Sequence, residues 1–419
     1  MSSNTLPNTK NVHIIGAGIV GLCCAIHLQR DGWQVTLIDK VGPGESCSFG
    51  HAGVLSETSA LPNAMPGVMV KVPKWLLDPE GPLYIRFRYL PKLLPWLLRF
   101  LKAGTASESE NTVRSLLALN AGTVEKYQTL VNGSQVRSLI RPSGYLNVYQ
   151  NESSFKHASR GWELLRRHGA QLRILSGEEL HELEPTLSPS YSRAVLIENQ
   201  GYTTNPFRLA QVLSEQFSQN GGIILRREVR EVRLSAEGNV RLNLDLGYVE
   251  SKKLVVAAGA WSHRITAQLG VSIPLETERG YHVTIAHPEV LPSHVIMEAE
   301  RKFVATPMEI GLRFAGTAEL AGLEAPPSYE RAEILLRLGK RMFPGISGTE
   351  KKEWMGHRPS LPDSRPVIGK CPDAPNILFA FGHGHRGLIG APMTGEIITD
   401  LIANRPPKID ITPFRPERF

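Results

Sequence analysis

The sequence predicts an α/β fold built on a Rossmann-like dinucleotide-binding unit, and three observations predict it. Residues 11–40 read NVHIIGAGIVGLCCAIHLQRDGWQVTLIDK, an apolar run followed by Gly16, Gly18 and Gly21 in G-x-G-x-x-G spacing. A second apolar run at 33–39 ends in Asp39. Further apolar runs at 221–234, 252–265 and 376–404 read as segments that return to the same sheet. The 419 residues suffice for two domains with sizeable cores, and 42% hydrophobic with 21% charged residues fits an ordinary globular chain.

The first strand spans 11–15, and the glycines turn the chain into a helix over 19–30. Gly16 permits the tight turn, Gly18 lets a pyrophosphate approach the backbone, and Gly21 allows the helix to pack close to the strand. The first helical turn, with Ile19 and Val20, then presents unpaired N–H groups and a positive dipole end to phosphates. Cys23 and Cys24 lie inside this helix and read as small core residues. The strand at 33–39 delivers Asp39 and then Lys40. An acid about 20 residues beyond the glycines accepts hydrogen bonds from ribose hydroxyls and repels a 2′-phosphate. The nucleotide is therefore FAD or NAD.

The segment 221–234 reads as one strand that passes the adenine through the backbone near Val229. KKLVVAAGAWSHRI, at 252–265, is a buried strand that ends in a small-residue turn with Ala258, Gly259 and Trp261. The stretch 376–404 is a strand, a glycine-rich turn and a helix that carries Ile397, Ile398, Leu401 and Ile402 at spacing suited to a sheet. Backbone N–H groups around Gly384, Gly387 and Leu388 would stabilise negative charge at the pyrimidine end of a flavin. A plain strand–turn–helix unit is the alternative. Nicotinamide chemistry has no need of such a closing helix, so this segment favours FAD.

Composition narrows the class. A net charge of +7 comes without a nucleic-acid motif, so no nucleic-acid partner is expected. No run approaches the ~18 apolar residues of a membrane span. The first ten residues are polar and lack the apolar core of a secretory signal. Four cysteines without paired metal-ligand spacing suit a reducing compartment, and a cytoplasmic location is expected.

The stretches IIGAGIVGL, LVVAAGAW, GHRPSLPDSRPVIG and ILFAFGHGHRGLIGAPMTGEII together resemble the FAD-dependent amine and amino-acid oxidoreductases of the D-amino acid oxidase fold. The resemblance covers nearly the whole chain. ESCSFGHAGVLS (45–56), KWLLDPEGPLYIRFRYLPKLLPWLLRFL (74–101) and LRFAGTAEL (312–320) look most like the branch of bacterial D-amino acid dehydrogenase small subunits. The resemblance implies a Rossmann-like FAD-binding domain at 1–95, 155–272 and 350–419. It also implies an interleaved α+β substrate domain at 96–154 and 273–349, whose sheet roofs the flavin.

An amino-acid substrate brings a carboxylate, and an arginine fork suits a buried carboxylate best. Composition alone leaves Arg358 as a surface arginine in a proline-rich loop. The resemblance instead makes it the carboxylate clamp, with Arg365 and Arg386 as substitutes. Tyr281 on a roof strand is a second carboxylate contact or a core aromatic. His383 and His385 flank the glycine turn under the substrate side of the flavin and offer hydrogen bonds; no third ligand cluster supports a metal there. The resemblance takes Ser46, Ser48, His51, Ala52, Gly53 and Val54 past the pyrophosphate toward the flavin ring. An amide usually stands where His51 is, and some relatives attach flavin through a histidine in this region. A noncovalent contact is expected here.

Residues 68–102 interleave Trp75, Tyr84, Phe87, Tyr89, Trp96 and Phe100 with Lys71, Lys74, Arg86, Arg88, Lys92, Arg99 and Lys102. Such a mixture suits peripheral contact with an anionic inner membrane face, or a helix packed over the substrate domain. The leading functional expectation is an FAD-dependent dehydrogenase of D-amino acids that passes electrons to quinone or another respiratory partner. The alternatives are a dehydrogenase of a cyclic substrate such as D-proline or hydroxy-D-proline, an oxygen-using glycine or sarcosine oxidase, and a non-catalytic flavoprotein.

Overall fold

The computed structural model describes residues 10–131, 138–235, 238–348 and 350–419. The polar opening segment 1–9 and the expected boundary at 349 lie outside the described residues. Asn11–Ile15 occupies the middle of a six-stranded sheet. The strand order is Val367–Cys371, Ala374–Phe381, Leu254–Val256, Asn11–Ile15, Gln34–Asp39, Ile223–Arg226. Every neighbouring pair is parallel except the first, a hairpin. Parallel strands are covered on both faces, which explains their near-continuous apolar runs.

On one face, helix Ile19–Arg30 crosses helix Gly387–Ile402 so closely that a Cβ on Gly395 would lie 2.7 Å from the Cys23 carbonyl oxygen. Cys23 and Cys24 are fully buried in this core, as their position in the helix implies. Ile397, Ile398 and Ile402 are also buried, but their helix packs chiefly on helix Ile19–Arg30 rather than on a sheet. The segment 221–234 is two strands, not one. Arg227 donates its N–H to the Asp39 and Leu225 carbonyls, which ends Ile223–Arg226; Val229–Leu234 then joins a separate three-stranded antiparallel sheet.

The second large sheet has ten strands. Its main path runs Lys351–Ser360, Glu276–Ile285, Gly311–Leu320, Phe303–Met308, Val295–Glu298, Ile140–Tyr149, Arg193–Thr203, Val54–Leu55. One face packs Leu146, Val283 and Phe314 against Leu335 and Met342 of helix Glu330–Met342. Side chains alternate across the sheet, so Glu278, Gly280, His282 and Thr284 share the other face. That face meets the loop that follows Asp39: the His282 ring bonds the Gly50 carbonyl, Arg313 donates to the His51 carbonyl, and Thr306 donates to that of Ala52.

Sheet membership departs from the expected segments. Leu172–Ser176, Arg193–Thr203 and Lys351–Ser360 fall within stretches assigned to the FAD-binding domain, yet all three join the ten-stranded sheet; so do Val54–Leu55 and Leu83–Ile85. Alternation identifies a strand but not its partner, because pairing is settled by which edge the chain returns to.

Candidate active site

A cavity of about 430 Å³ opens along the carboxyl ends of the parallel strands and reaches the roof strand at His357 and Pro359. Most of the expected cofactor residues line it: Gly16, Gly18, Ile19, Val20, Asp39, Lys40, Ser46, Ser48, His51, Val229, Ala258, Gly259, Trp261, Gly384, Gly387 and Leu388. His383 lines it as well. Such a crevice at the strand ends is where open α/β sheets bind nucleotides.

The phosphate end is built from backbone. Gly16 has φ +107°, and a Cβ there would overlap the Ala257 carbonyl. A Cβ on Gly21 would strike the Gly16 carbonyl, so Gly21 acts beneath the cavity as a packing glycine rather than as part of its wall. Ser48 accepts the Ile19 N–H at 2.9 Å and pins its loop to the helix start. The Asp39 carboxylate accepts from Ala17 N at 2.7 Å and Val41 N at 3.0 Å, which braces the glycine turn. Burial raises its pKa while those two N–H groups oppose the shift. Its remaining lone pairs are available to a ribose. Lys40 sits over the Trp261 ring, 4.7 Å from its centroid. The close-approach glycines and this donor set fit a flavin dinucleotide.

Ala52, Gly53 and Val54 do not line the cavity; they tie the loop to the roof. Gly53 has φ +79°, and Val54 pairs with Tyr202. His51 is held at both ring nitrogens. Its Nδ1 accepts the Gly53 N–H at 3.1 Å, so Nε2 carries the proton and donates to the His385 carbonyl at 2.9 Å. Burial, with Arg358 and Arg313 nearby, lowers its pKa to about 4, against the opposing bond to His385. A covalent bond at either nitrogen would break one of these contacts. Acid precipitation should therefore release FAD into the supernatant; flavin retained in the pellet would identify a covalent link.

Arg358 lies on the edge strand Lys351–Ser360 and shares with Gly280 the sheet face that meets the loop after Asp39. Its guanidinium fills the place a Gly280 Cβ would take, and it donates to the Thr317 carbonyl at 2.6 Å and the Gly316 carbonyl at 3.1 Å. Thr317 holds a left-handed φ of 55°, costly for a β-branched residue, at the irregularity that lets the strand present both carbonyls. Burial lowers the Arg358 pKa, and the nearby Glu278 charge opposes that. No carboxylate lies within ion-pair distance of Arg358 among the described residues. His385 is exposed, and its pKa is pushed well below the usual value by desolvation, with the positive charges of Arg386 and Arg358 and the His51 ring adding to the shift. Neither His385 nor Arg358 is among the residues that line the cavity, which meets this strand at His357 and Pro359. His383 donates from Nε2 to Thr394, whose hydroxyl donates onward to Gly390, and burial holds its pKa at about 3.

Tyr281 requires a correction. Its side chain points to the opposite face, 1% exposed, where its hydroxyl donates to Glu319 and accepts the Ser328 N–H. It is a core aromatic, because it is one residue out of phase with Gly280. The substitutes for Arg358 are already engaged: Arg365 pairs with Asp363 and Glu108, and Arg386 donates to the Ser59 and Leu61 carbonyls. The sequence reading missed Cys47, Arg227, Arg230, Arg264 and His357 in the cavity wall. Cys47 and His357 had a signal, as neighbours of Ser46, Ser48 and Arg358.

A family profile described as FAD dependent oxidoreductase matches residues 11–401. The chain belongs to this family. FAD is its cofactor, and it is an enzyme. This FAD-dependent oxidoreductase is 40% identical to a D-amino-acid oxidase of Bradyrhizobium diazoefficiens, over 99% of this chain and 100% of the relative. It is 32% identical to a D-amino acid dehydrogenase of Paramagnetospirillum magneticum, over 97% and 98%. Glycine oxidase from Geobacillus kaustophilus shares the fold, with a TM-score of 0.74 at 21% identity over 98% of this chain and 100% of that one.

Proposed function

We propose that this flavoenzyme is a dehydrogenase of D-amino acids, and that Arg358 clamps the substrate carboxylate. The observation that carries the proposal is a recessed guanidinium, seated over Gly280, with no carboxylate of its own. Desolvating a cation without a counter-ion is costly, so an arriving carboxylate recovers interaction that the fold leaves unused. The names of the two relatives supply the D-amino acid class. Bound FAD supplies the acceptor for the hydride that leaves the substrate Cα. Arg358 fixes the substrate's orientation, and neutral His383 and His51 keep further positive charge out of the site. The imine product hydrolyses to a 2-oxo acid and ammonia. Anaerobic mixing with a panel of D-amino acids, including D-proline and hydroxy-D-proline, tests the reading by bleaching of the flavin. No bleaching by any of them would overturn it.

Dehydrogenase is favoured over oxidase by the surface of 68–102, although the aromatic belt expected there is corrected. Trp96 is buried and stacks on Phe100 at 5.2 Å, Tyr89 bonds Glu276, and Arg86 pairs with Glu319 at 2.7 Å. The exposed apolar groups are mainly leucines. Leu90, Leu94, Leu98 and Leu101 line one side of helix Leu90–Ala103, with Val70, Leu77 and Phe87 nearby in sequence. Lys71, Lys74, Arg88, Lys92, Arg99 and Lys102 are exposed beside them. No helix among the described residues is long and apolar enough to cross a membrane. An amphipathic surface of this composition suits an anionic bilayer, from which a quinone can be reduced. Each basic residue near such a surface contributes about 1 kcal/mol, screened by salt. The protein should float with anionic liposomes at low salt and less at high salt. Lys71→Gln with Lys74→Gln and Arg88→Gln should weaken flotation and spare dye-linked turnover. Absence of lipid binding together with stoichiometric peroxide would favour the oxidase, the second reading, which the name of the 40% relative supports.

A further inference from the structure

Glu278 and Arg358 sit directly opposite each other on neighbouring antiparallel strands, so their side chains share one sheet face. Opposite charges in that relation ordinarily form a contact pair. Here they do not. Arg358 reaches over Gly280 toward the Gly316 and Thr317 carbonyls, away from its cross-strand neighbour. The Glu278 side chain is partly exposed and makes no hydrogen bond or ion pair among the described residues. Its charge still reaches both Arg358 and Arg386. Arg386 cannot turn to meet it, because its guanidinium donates to the Ser59 and Leu61 carbonyls. An acid and a base are thus held side by side and apart, each with hydrogen-bonding capacity unused, on the face that meets the loop after Asp39.

An α-amino acid carries the complementary pair of groups on one carbon. We propose that Glu278 receives the substrate's α-amino group while Arg358 receives its carboxylate, so the pair selects amino acids over 2-hydroxy acids and simple carboxylates. This inference rests on the assignment of Arg358 in the proposed function. A carboxylate accepts an N–H hydrogen bond from an amine in either protonation state, and most strongly from an ammonium group. A 2-hydroxy acid offers one weaker donor, and an unsubstituted acid offers none, which leaves Glu278 facing an apolar Cα.

The test is anaerobic titration of the flavin spectrum with D-alanine, D-lactate and propionate, in the wild-type holoenzyme and in Glu278→Gln and Glu278→Asp. Flavin content and Tm are recorded for each variant. Glu278→Gln is expected to weaken D-alanine by about 10- to 100-fold, the scale of one charge-assisted hydrogen bond. Propionate and D-lactate should bind as well or more tightly, because a negative charge beside Arg358 has gone. Glu278→Asp should recover part of the D-alanine affinity. Equal tightening of all three ligands would make Glu278 only a counter-charge to Arg358 and overturn the inference. An unchanged response to D-alanine would also overturn it. If wild-type flavin responds to propionate but not preferentially to D-alanine, the Arg358 assignment survives and the Glu278 inference fails. If it responds to none of the three, the reading of Arg358 fails and takes this inference with it.

Discussion

Arg358→Lys is expected to keep its FAD and lose most of its turnover. A lysine ammonium is a point charge: from the same position it cannot both donate to the Gly316 and Thr317 carbonyls and present a planar fork to a carboxylate. Losing one charge-assisted, largely desolvated pair costs about 2–4 kcal/mol in transition-state binding, or roughly 30- to 1000-fold in kcat/KM. Gly280→Ala should produce a related loss with the arginine intact, because the new methyl takes the space of the guanidinium. The two variants separate lost chemistry from lost position. Steady-state kinetics with a dye acceptor, alongside a flavin-to-protein ratio, measures both. Unchanged kinetics in Arg358→Lys would move the clamp elsewhere. Arg365 and Arg386 could not take its place without giving up the bonds they already make.

Gly16→Ala is expected to abolish FAD retention. The position needs φ +107°, which an alanine adopts only under strain, and its Cβ would overlap the Ala257 carbonyl of the neighbouring strand. Strain and overlap together should cost about 3 kcal/mol or more. Relief would push the glycine turn off the Asp39 brace. A large fall in the flavin-to-protein ratio and a lower Tm are the expected readings. A yellow, stable Gly16→Ala protein would show that the turn is not the phosphate cradle. Gly21→Ala should fail in the same direction through packing alone, since its Cβ would strike the Gly16 carbonyl.

How far the site was legible depended on whether a residue's role follows from local chain geometry. Gly16, Gly18 and Asp39 were legible because a strand–turn–helix carries its own steric requirements. The turn around Gly384 was legible for the same reason. Tyr281 was not: face assignment on a strand flips with each residue, and no residue near 281 announced which face the loop would cover. The surface of 68–102 was half legible. Its composition marked an amphipathic segment, but which of its rings would be buried depended on Leu83, Ile85 and Leu320, which pack against Trp96 and Leu93. Glu278 gave no local signal at all, because its interest lies in a cross-strand neighbour far away in sequence.

By itself the sequence determined the α/β class, the dinucleotide turn, and the first helix and its buried cysteines. These follow from short-range rules of spacing, glycine sterics and apolar runs, which act within one strand–turn–helix unit. Only the tertiary structure decided which strands join the ten-stranded sheet, that Val54–Leu55 and Arg193–Thr203 belong to it, and that Tyr281 points to one face while Glu278 and Arg358 share the other. Those outcomes depend on strand partners and register. Strand pairing joins segments hundreds of residues apart, and a shift of one residue exchanges the two faces.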